Sequence, residues 1–204
     1  MEMTIYQKVL QADFLRLHPE LQKRYDFEKG SVFRASGRMN SIQGGPKWLY
    51  PLFKLGVRWK LLFPERGQDI PFTIINSSFV NSEGEQQIHW ERKFFFPKKT
   101  RYFNALMSLD EKRMIVKDYL GEPHLLYSDL QFTVSDEGAL EINSMDQRLV
   151  LGKIEIPLPR FFQGLATIVE TYDDQSEVFR ISVVVKNPLI GNVFSYEGEF
   201  TADA

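Results

Sequence analysis

The sequence predicts a mainly β (α+β) protein. The expected form is a single large antiparallel sheet, strongly curved or closed into a barrel of about ten strands, with N-terminal helices and one short covering helix. Three observations predict it. From Ile70 onward, short runs of alternating apolar and polar residues succeed one another. Turn signals such as Asn81-Ser82-Glu83-Gly84, Asp136-Glu137-Gly138 and Asn187-Pro188 separate these runs at hairpin spacing. No helical crossover interrupts them, so βαβ units are not expected. The 204 residues hold no repeat, linker or low-complexity segment, and residues 1–204 are read as one domain.

The first element is helical. Thr4 can cap it, with Gln7 three residues on, and Leu10, Phe14, Leu17 and Leu21 recur at helical spacing. His18-Pro19 ends one helix and starts the next, because proline fits a first turn; His18 is then a cap or linker residue rather than a ligand. Val32 to Met39 reads as a strand, closed by Gln43-Gly44-Gly45-Pro46. Pro46 to Gly56 is a short apolar helix, read as a lid or plug in preference to a surface-seeking amphipathic helix. The alternation of Val57, Trp59, Leu61 and Phe63 offers an extended stretch next.

Strands follow over Pro71–Val80, Gln87–Phe96, Arg101–Met107, Met114–Leu120 and Leu125–Ser135. Ala139–Ser144, Arg148–Ile156, Leu165–Tyr172, Phe179–Val185 and Val193–Thr201 complete the series. The basic run Lys98-Lys99-Thr100-Arg101 reads as a solvated hairpin tip. So many hairpins leave open edges unless the sheet closes or curls around a helix. A barrel of about ten strands is wide enough for a ligand-sized interior. Two interiors fit the pattern: a cavity under a helical cover, or a solid core filled by the 17 phenylalanines.

Composition excludes several classes. With 25 basic and 27 acidic residues the net charge is −2, which is not the footprint of a nucleic-acid binder. The absence of cysteine removes disulfides, thiol nucleophiles and Cys-based metal sites. No apolar run approaches the roughly 18 residues of a membrane span, and MEMTIYQKVL lacks signal-peptide character, so a cytoplasmic protein without an integral membrane segment is expected. Gly44-Gly45 runs into proline and forms no phosphate loop, there is no G-x-S-x-G elbow, and His18, His89 and His124 follow no metal-ligand spacing. No cofactor, metal or catalytic residue is assigned. Glu170 or Asp118 as a general base would still need a positioned proton and an electrophilic partner.

The candidate site rests on charge inside strands. Trp90, Arg92, Phe94 and Phe96 share one face by period two, which places an arginine among aromatics. An inward arginine needs a counter-charge or a ligand, and Glu170 and Glu197 are the candidates in other strands. Trp90, Arg92, Glu170 and Tyr196 are accordingly read as a polar spot that recognises a ligand head group. The alternative is a structural ion pair or an exposed cross-strand pair.

Several motifs carry a family resemblance. Pro157-Leu158-Pro159-Arg160, Gln163-Gly164-Leu165-Ala166, Glu170-Thr171-Tyr172-Asp173, Asn187-Pro188-Leu189-Ile190-Gly191 and Tyr196-Glu197-Gly198-Glu199-Phe200 stand in the C-terminal half. Leu17-His18-Pro19, Phe63-Pro64-Glu65, Trp90-Glu91-Arg92 and Asp118-Tyr119-Leu120-Gly121 precede them. Together they resemble domain-of-unknown-function family 4166 along almost the whole chain. The resemblance implies a bacterial protein of a family found alone or fused to saccharopine-dehydrogenase-like or short-chain-reductase-like NAD(P)-binding domains. It implies no catalytic residue, and this chain has no G-x-G-x-x-G of its own.

Two functions follow. One is a binding module that holds a hydrophobic or amphipathic small molecule in the curved sheet, with Arg92 as its first inward polar group. The other is a solid-core docking or regulatory partner of a separate NAD(P)-dependent reductase, with an exposed apolar patch around Trp48, Trp59 and Phe63.

Overall fold

Hairpin after hairpin, the chain closes on itself. The computed structural model describes residues 3–203. Its strands are β1 (Val32–Gly44), β2 (Gly67–Val80), β3 (Gln86–Phe96), β4 (Lys99–Tyr102), β5 (Ala105–Asp110) and β6 (Ile115–Leu120). They continue with β7 (Leu126–Val134), β8 (Leu140–Leu151), β9 (Ile154–Pro157), β10 (Leu165–Asp173), β11 (Val178–Asn187) and β12 (Gly191–Ala202). Ten of the twelve form a closed antiparallel barrel in the order β10-β11-β12-β1-β2-β3-β5-β6-β7-β8. Closure comes from β8 pairing β10, from Thr167 opposite Asn143 to Glu170 opposite Leu140. The short β4 and β9 hang outside it on β3 and β8. Closure satisfies the edge groups that an open sheet would expose.

Three local features depart from the sequence pattern. The run 101–107 is two strands, because Phe103 and Asn104 turn inward. Asn104 Oδ1 accepts from the Arg92 amide at 3.3 Å and its Nδ2 donates to Glu122 Oε1 at 2.8 Å. Residues 139–144 and 148–151 belong to one continuous β8, which reverses at Gly152-Lys153 into β9. Val57 to Phe63 is not extended: a 3-10 turn at Val57–Trp59 ends in a left-handed Lys60 (φ 50°).

Curvature is built into the strands. Bulges fall between Met39 and Ser41, Ser128 and Leu130, and Val185 and Lys186. Where β1 meets β12, a Cβ on Gly198 would lie 2.2 Å from the Arg38 carbonyl oxygen, and one on Gly37 2.0 Å from that of Glu199. Only glycine permits this approach.

One end of the barrel is plugged by the N-terminus. In α1 (Ile5–Leu10) the amide of Gln7 donates to Thr4 Oγ1 at 3.2 Å, and the amide of Thr4 donates to Gln7 Oε1 at 3.0 Å. A 3-10 turn, Gln11–Arg16, leads to α2 (Pro19–Tyr25), where His18 accepts from the Glu20 amide. Tyr6, Leu10, Phe14, Leu17, Leu21 and Tyr25 are all buried in the core. The other end is covered by a 3-10 turn at Lys47–Leu49 and α3 (Tyr50–Gly56). Phe63 follows, fully buried with its ring centroid 5.0 Å from that of Phe94 and 5.1 Å from that of Phe194.

Glu122 ties this cover to the barrel. It pairs with Lys60, with His89 at 2.6 Å and with Asn104, while its amide donates to the Trp59 carbonyl at 2.7 Å. Burial works against the Glu122 carboxylate, but its three donors win and hold its pKa at about 2. Gly121 before it has φ +92°, and a Cβ there would meet the Trp59 oxygen at 2.8 Å. The basic run 98–101 sits at a hairpin tip, where Lys99 and Arg101 reach Glu65 at 3.1 and 2.7 Å.

Candidate functional site

Two arginines point into the barrel, and their surroundings differ. Arg24 lies on the inward face of α2 with Leu21 and Tyr25, at helical spacings of three and four. It forms an ion pair with Glu170 of β10 through Nε, with Nη2 donating to Oε2 at 3.3 Å. Tyr25 donates to the same carboxylate at 3.0 Å, and Arg24 Nη1 donates to Asn76 Oδ1 at 3.1 Å. The rings of Phe33, Tyr25, Phe200 and Trp90 lie 4.5 to 5.4 Å from the guanidinium carbon. Burial opposes the Arg24 charge, but Glu170 outweighs it and the pKa is raised. The Arg24 guanidinium and the Tyr25 hydroxyl face partners from the chain itself, whereas Asn76 Nδ2 beside them has none among the described residues.

Arg92 of β3 is also buried, but it has no such carboxylate. Its Nε donates to the Phe103 carbonyl at 2.6 Å and Nη1 to Tyr196 Oη at 3.4 Å. Its guanidinium carbon lies 4.1 Å from the centroid of Phe103. Among the described residues Nη2 makes no hydrogen bond. Beyond Arg92 opens a cavity of about 550 Å³ between the packed half of the barrel and the α3 cover. Strands β5 to β8 and β10 to β12 wall it with apolar side chains, among them Met107, Leu130, Ile168 and Val183. It reaches solvent between α3, a 3-10 turn at Arg160–Phe162, and the Asn187–Ile190 turn.

Seven polar side chains line this cavity: Arg92, Asp118, Ser128, Ser144, Gln147, Gln163 and Asn187. Five are used by the fold, Gln163 by donating to the Leu158 carbonyl at 2.8 Å. Gln147 donates to the Gly164 carbonyl at 2.8 Å and accepts from its amide at 2.9 Å. Asn187 donates to the carbonyls of Phe161 and Gln163, both at 2.8 Å, and accepts from the amides of Leu189 and Ile190. Ser144 accepts from the Ala166 amide at 2.6 Å, and Ser128 donates to the Asp129 carbonyl at 3.4 Å.

Asp118 is different. Its Oδ1 is buried and has no hydrogen-bond partner among the described residues. Burial pushes its carboxyl up to about 7, and the charge of Arg92 pulls only partly the other way. The cavity therefore carries an unused acceptor beside an underused cationic donor. A ligand group that accepts from one and donates to the other would complete both.

The four residues singled out from the sequence divide between the two regions. Arg92 and Tyr196 are in contact, with Arg92 in the cavity wall. Trp90 lies in the packed half, where its Nε1 donates to Tyr6 Oη at 3.0 Å. Glu170 does not pair with Arg92. Arg24 takes it, because α2 enters the barrel and delivers a guanidinium directly opposite β10. Glu197 is exposed and unavailable to either arginine.

The expected apolar patch is likewise redrawn: Trp48 is 65 % exposed, Trp59 half-buried and Phe63 fully buried. Asp118 was legible as an inward residue, since Val116 and Asp118 alternate into the barrel, but its proximity to Arg92 depends on β5 and β3 pairing in register.

The fold and site together define a closed antiparallel β-barrel, plugged at one end and hollow at the other. Residues 17–200 match the family described as "Domain of unknown function (DUF4166)", and the chain belongs to that family. It is also similar to "Uncharacterized protein YndH" of Bacillus subtilis (strain 168), 42 % identical over 197 residues, covering 97 % of this chain and 96 % of that one. No solved structure matches. Among the described residues no helix is long and apolar enough to cross a membrane.

Proposed function

We propose that this protein is a container for a hydrophobic or amphipathic small molecule, bound in the barrel cavity with its polar group against Arg92 and Asp118. The observation that carries this reading is the unpartnered Asp118 carboxyl beside Arg92 within about 550 Å³ of apolar space. A pocket of that volume, largely apolar with few convergent polar groups, is the usual form of a small-molecule site. In this reading Arg92 contacts the ligand, Tyr196 and Trp90 hold Arg92 from behind, and Glu170 contributes by neutralising Arg24. A cytoplasmic setting belongs to the same reading. The cavity weighs against a solid-core partner domain for a separate reductase, which would need no hollow interior.

The test is a titration with an environment-sensitive fluorescent fatty acid. Wild type is expected to bind it saturably, whereas Ala166→Phe, which fills the cavity, abolishes binding at unchanged stability. Equal binding by both proteins would contradict the reading.

A further inference from the structure

The residues that line the cavity and yet face solvent define its mouth. Trp48 is 65 % exposed, Leu52 60 %, Phe161 52 %, Phe162 68 % and Leu189 78 %, and all five belong to the cavity wall. They come from three separate segments: the cover, the Arg160–Phe162 turn and the β11–β12 turn. A soluble surface seldom gathers so many large apolar side chains at one opening without a partner for them.

Charge identifies the kind of partner. Residues 44–64, 157–169 and 183–196, the segments that carry the mouth residues, contain no aspartate or glutamate. They do contain Lys47, Lys54, Arg58, Arg160 and Lys186, all exposed and none ion-paired among the described residues. The whole chain is net −2, so the acidic residues lie elsewhere. Aromatic and leucine side chains set among free cations, on a surface otherwise acidic, match an anionic lipid surface: the rings enter the acyl boundary and the cations meet the headgroups.

We infer that the mouth docks on the surface of an anionic bilayer and that the cavity takes up or releases its amphiphile there. The inference rests on the container reading and names where its ligand comes from. Docking in this orientation sets the cavity opening against the acyl region, so the ligand's apolar part need not cross water. Asn187 is the positioning residue of the mouth, since its side chain clamps the Phe161 and Gln163 carbonyls to the β11–β12 turn.

The experiment is co-sedimentation of the full chain with phosphatidylcholine vesicles, with and without phosphatidylglycerol. Two variants are run alongside: Lys47→Glu/Lys54→Glu/Arg160→Glu and Trp48→Ser/Phe161→Ser/Phe162→Ser. All substituted side chains are exposed, so both should fold, as thermal unfolding checks; binding of the fluorescent fatty acid in vesicle-free solution checks that the charge-reversed variant retains its cavity. Wild type is expected to pellet with the anionic vesicles and to be released by salt. Charge reversal should weaken partitioning on the order of tenfold or more with probe binding retained, since none of its three residues lines the cavity, and the apolar triple variant should abolish partitioning. Wild type that binds the probe but stays in the supernatant with both vesicle types would overturn the docking surface alone. So would equal pelleting of the charge-reversed variant. A wild type that pellets but binds no probe would keep the docking surface and overturn the container.

Discussion

The two ends of this barrel solve the same physical problem in opposite ways. At the plugged end Arg24 is buried, and the fold surrounds it with a carboxylate, an amide oxygen and four aromatic rings. At the hollow end Arg92 is buried beside a carboxyl that it does not bond, over empty apolar space. A charge removed from water without full compensation is costly. The charges of the first site are matched within the chain, although Asn76 Nδ2 beside them has no partner among the described residues; in the container reading the second site is left open for a ligand. In that reading the buried ion pair marks structure and the incomplete pair marks the proposed site.

The comparison can be broken most severely at the plugged end. Glu170→Ala leaves Arg24 uncompensated, and the loss in unfolding free energy is expected to be about 3–5 kcal/mol. Guanidinium denaturation measures it; a loss below that of a surface substitution would mean that Arg24 is not the pillar described.

At the hollow end the sign reverses. Asp118 has a folded pKa raised to about 7, so the folded state holds its proton longer than the unfolded chain does. Wild type should lose stability as pH rises from the ordinary carboxylate range through about 7, with no penalty below that range. Asp118→Asn should therefore be the more stable protein at pH values above the folded pKa, by roughly 2–4 kcal/mol, with the advantage gone in acid. Denaturation curves of both proteins across this range decide it, and an advantage independent of pH would contradict the assignment.

Arg92→Ala sharpens the contrast further. It removes hydrogen bonds to Phe103 and Tyr196 but strands no paired carboxylate, so about 2 kcal/mol of stability is expected to be lost. Affinity for the fluorescent fatty acid should fall at least about tenfold. Unchanged affinity would remove Arg92 from the site.

The smallest effect lies at the anchor of the cover. Glu122 has a folded pKa of about 2, below its unfolded value, so its contribution is present above the ordinary carboxylate range and lost as pH falls towards about 2. With solvent screening at this partly exposed site, Glu122→Gln should cost about 1 kcal/mol at neutral pH. Hydrogen exchange of the Lys60 and Asn104 amides would report whether the cover loosens.

Much of the architecture was legible because strand periodicity is a local signal. The capping box at Thr4 and Gln7, proline in the first turn of α2, and the hairpin series all follow from neighbouring residues. What was not legible depends on register. Phe103 and Asn104 break a run that looks continuous because Asn104 is needed by Arg92 and Glu122 from two other segments. The partner of Glu170 was missed for the same reason. Arg24 was one basic residue on a short helix, and only closure of β10 on β8 shows that α2 lies over that strand. Arg92 stood out among aromatics, whereas Asp118 gained meaning only when β3, β5 and β6 were laid side by side.

The most direct test of the central claim is native mass spectrometry of protein purified from its host, followed by solvent extraction and identification of whatever is released. The account predicts a stoichiometric amphiphile whose retention is lost in Arg92→Ala and Ala166→Phe. A bare protein mass, together with no uptake of fatty-acid-like probes, would contradict it and leave the cavity without a ligand.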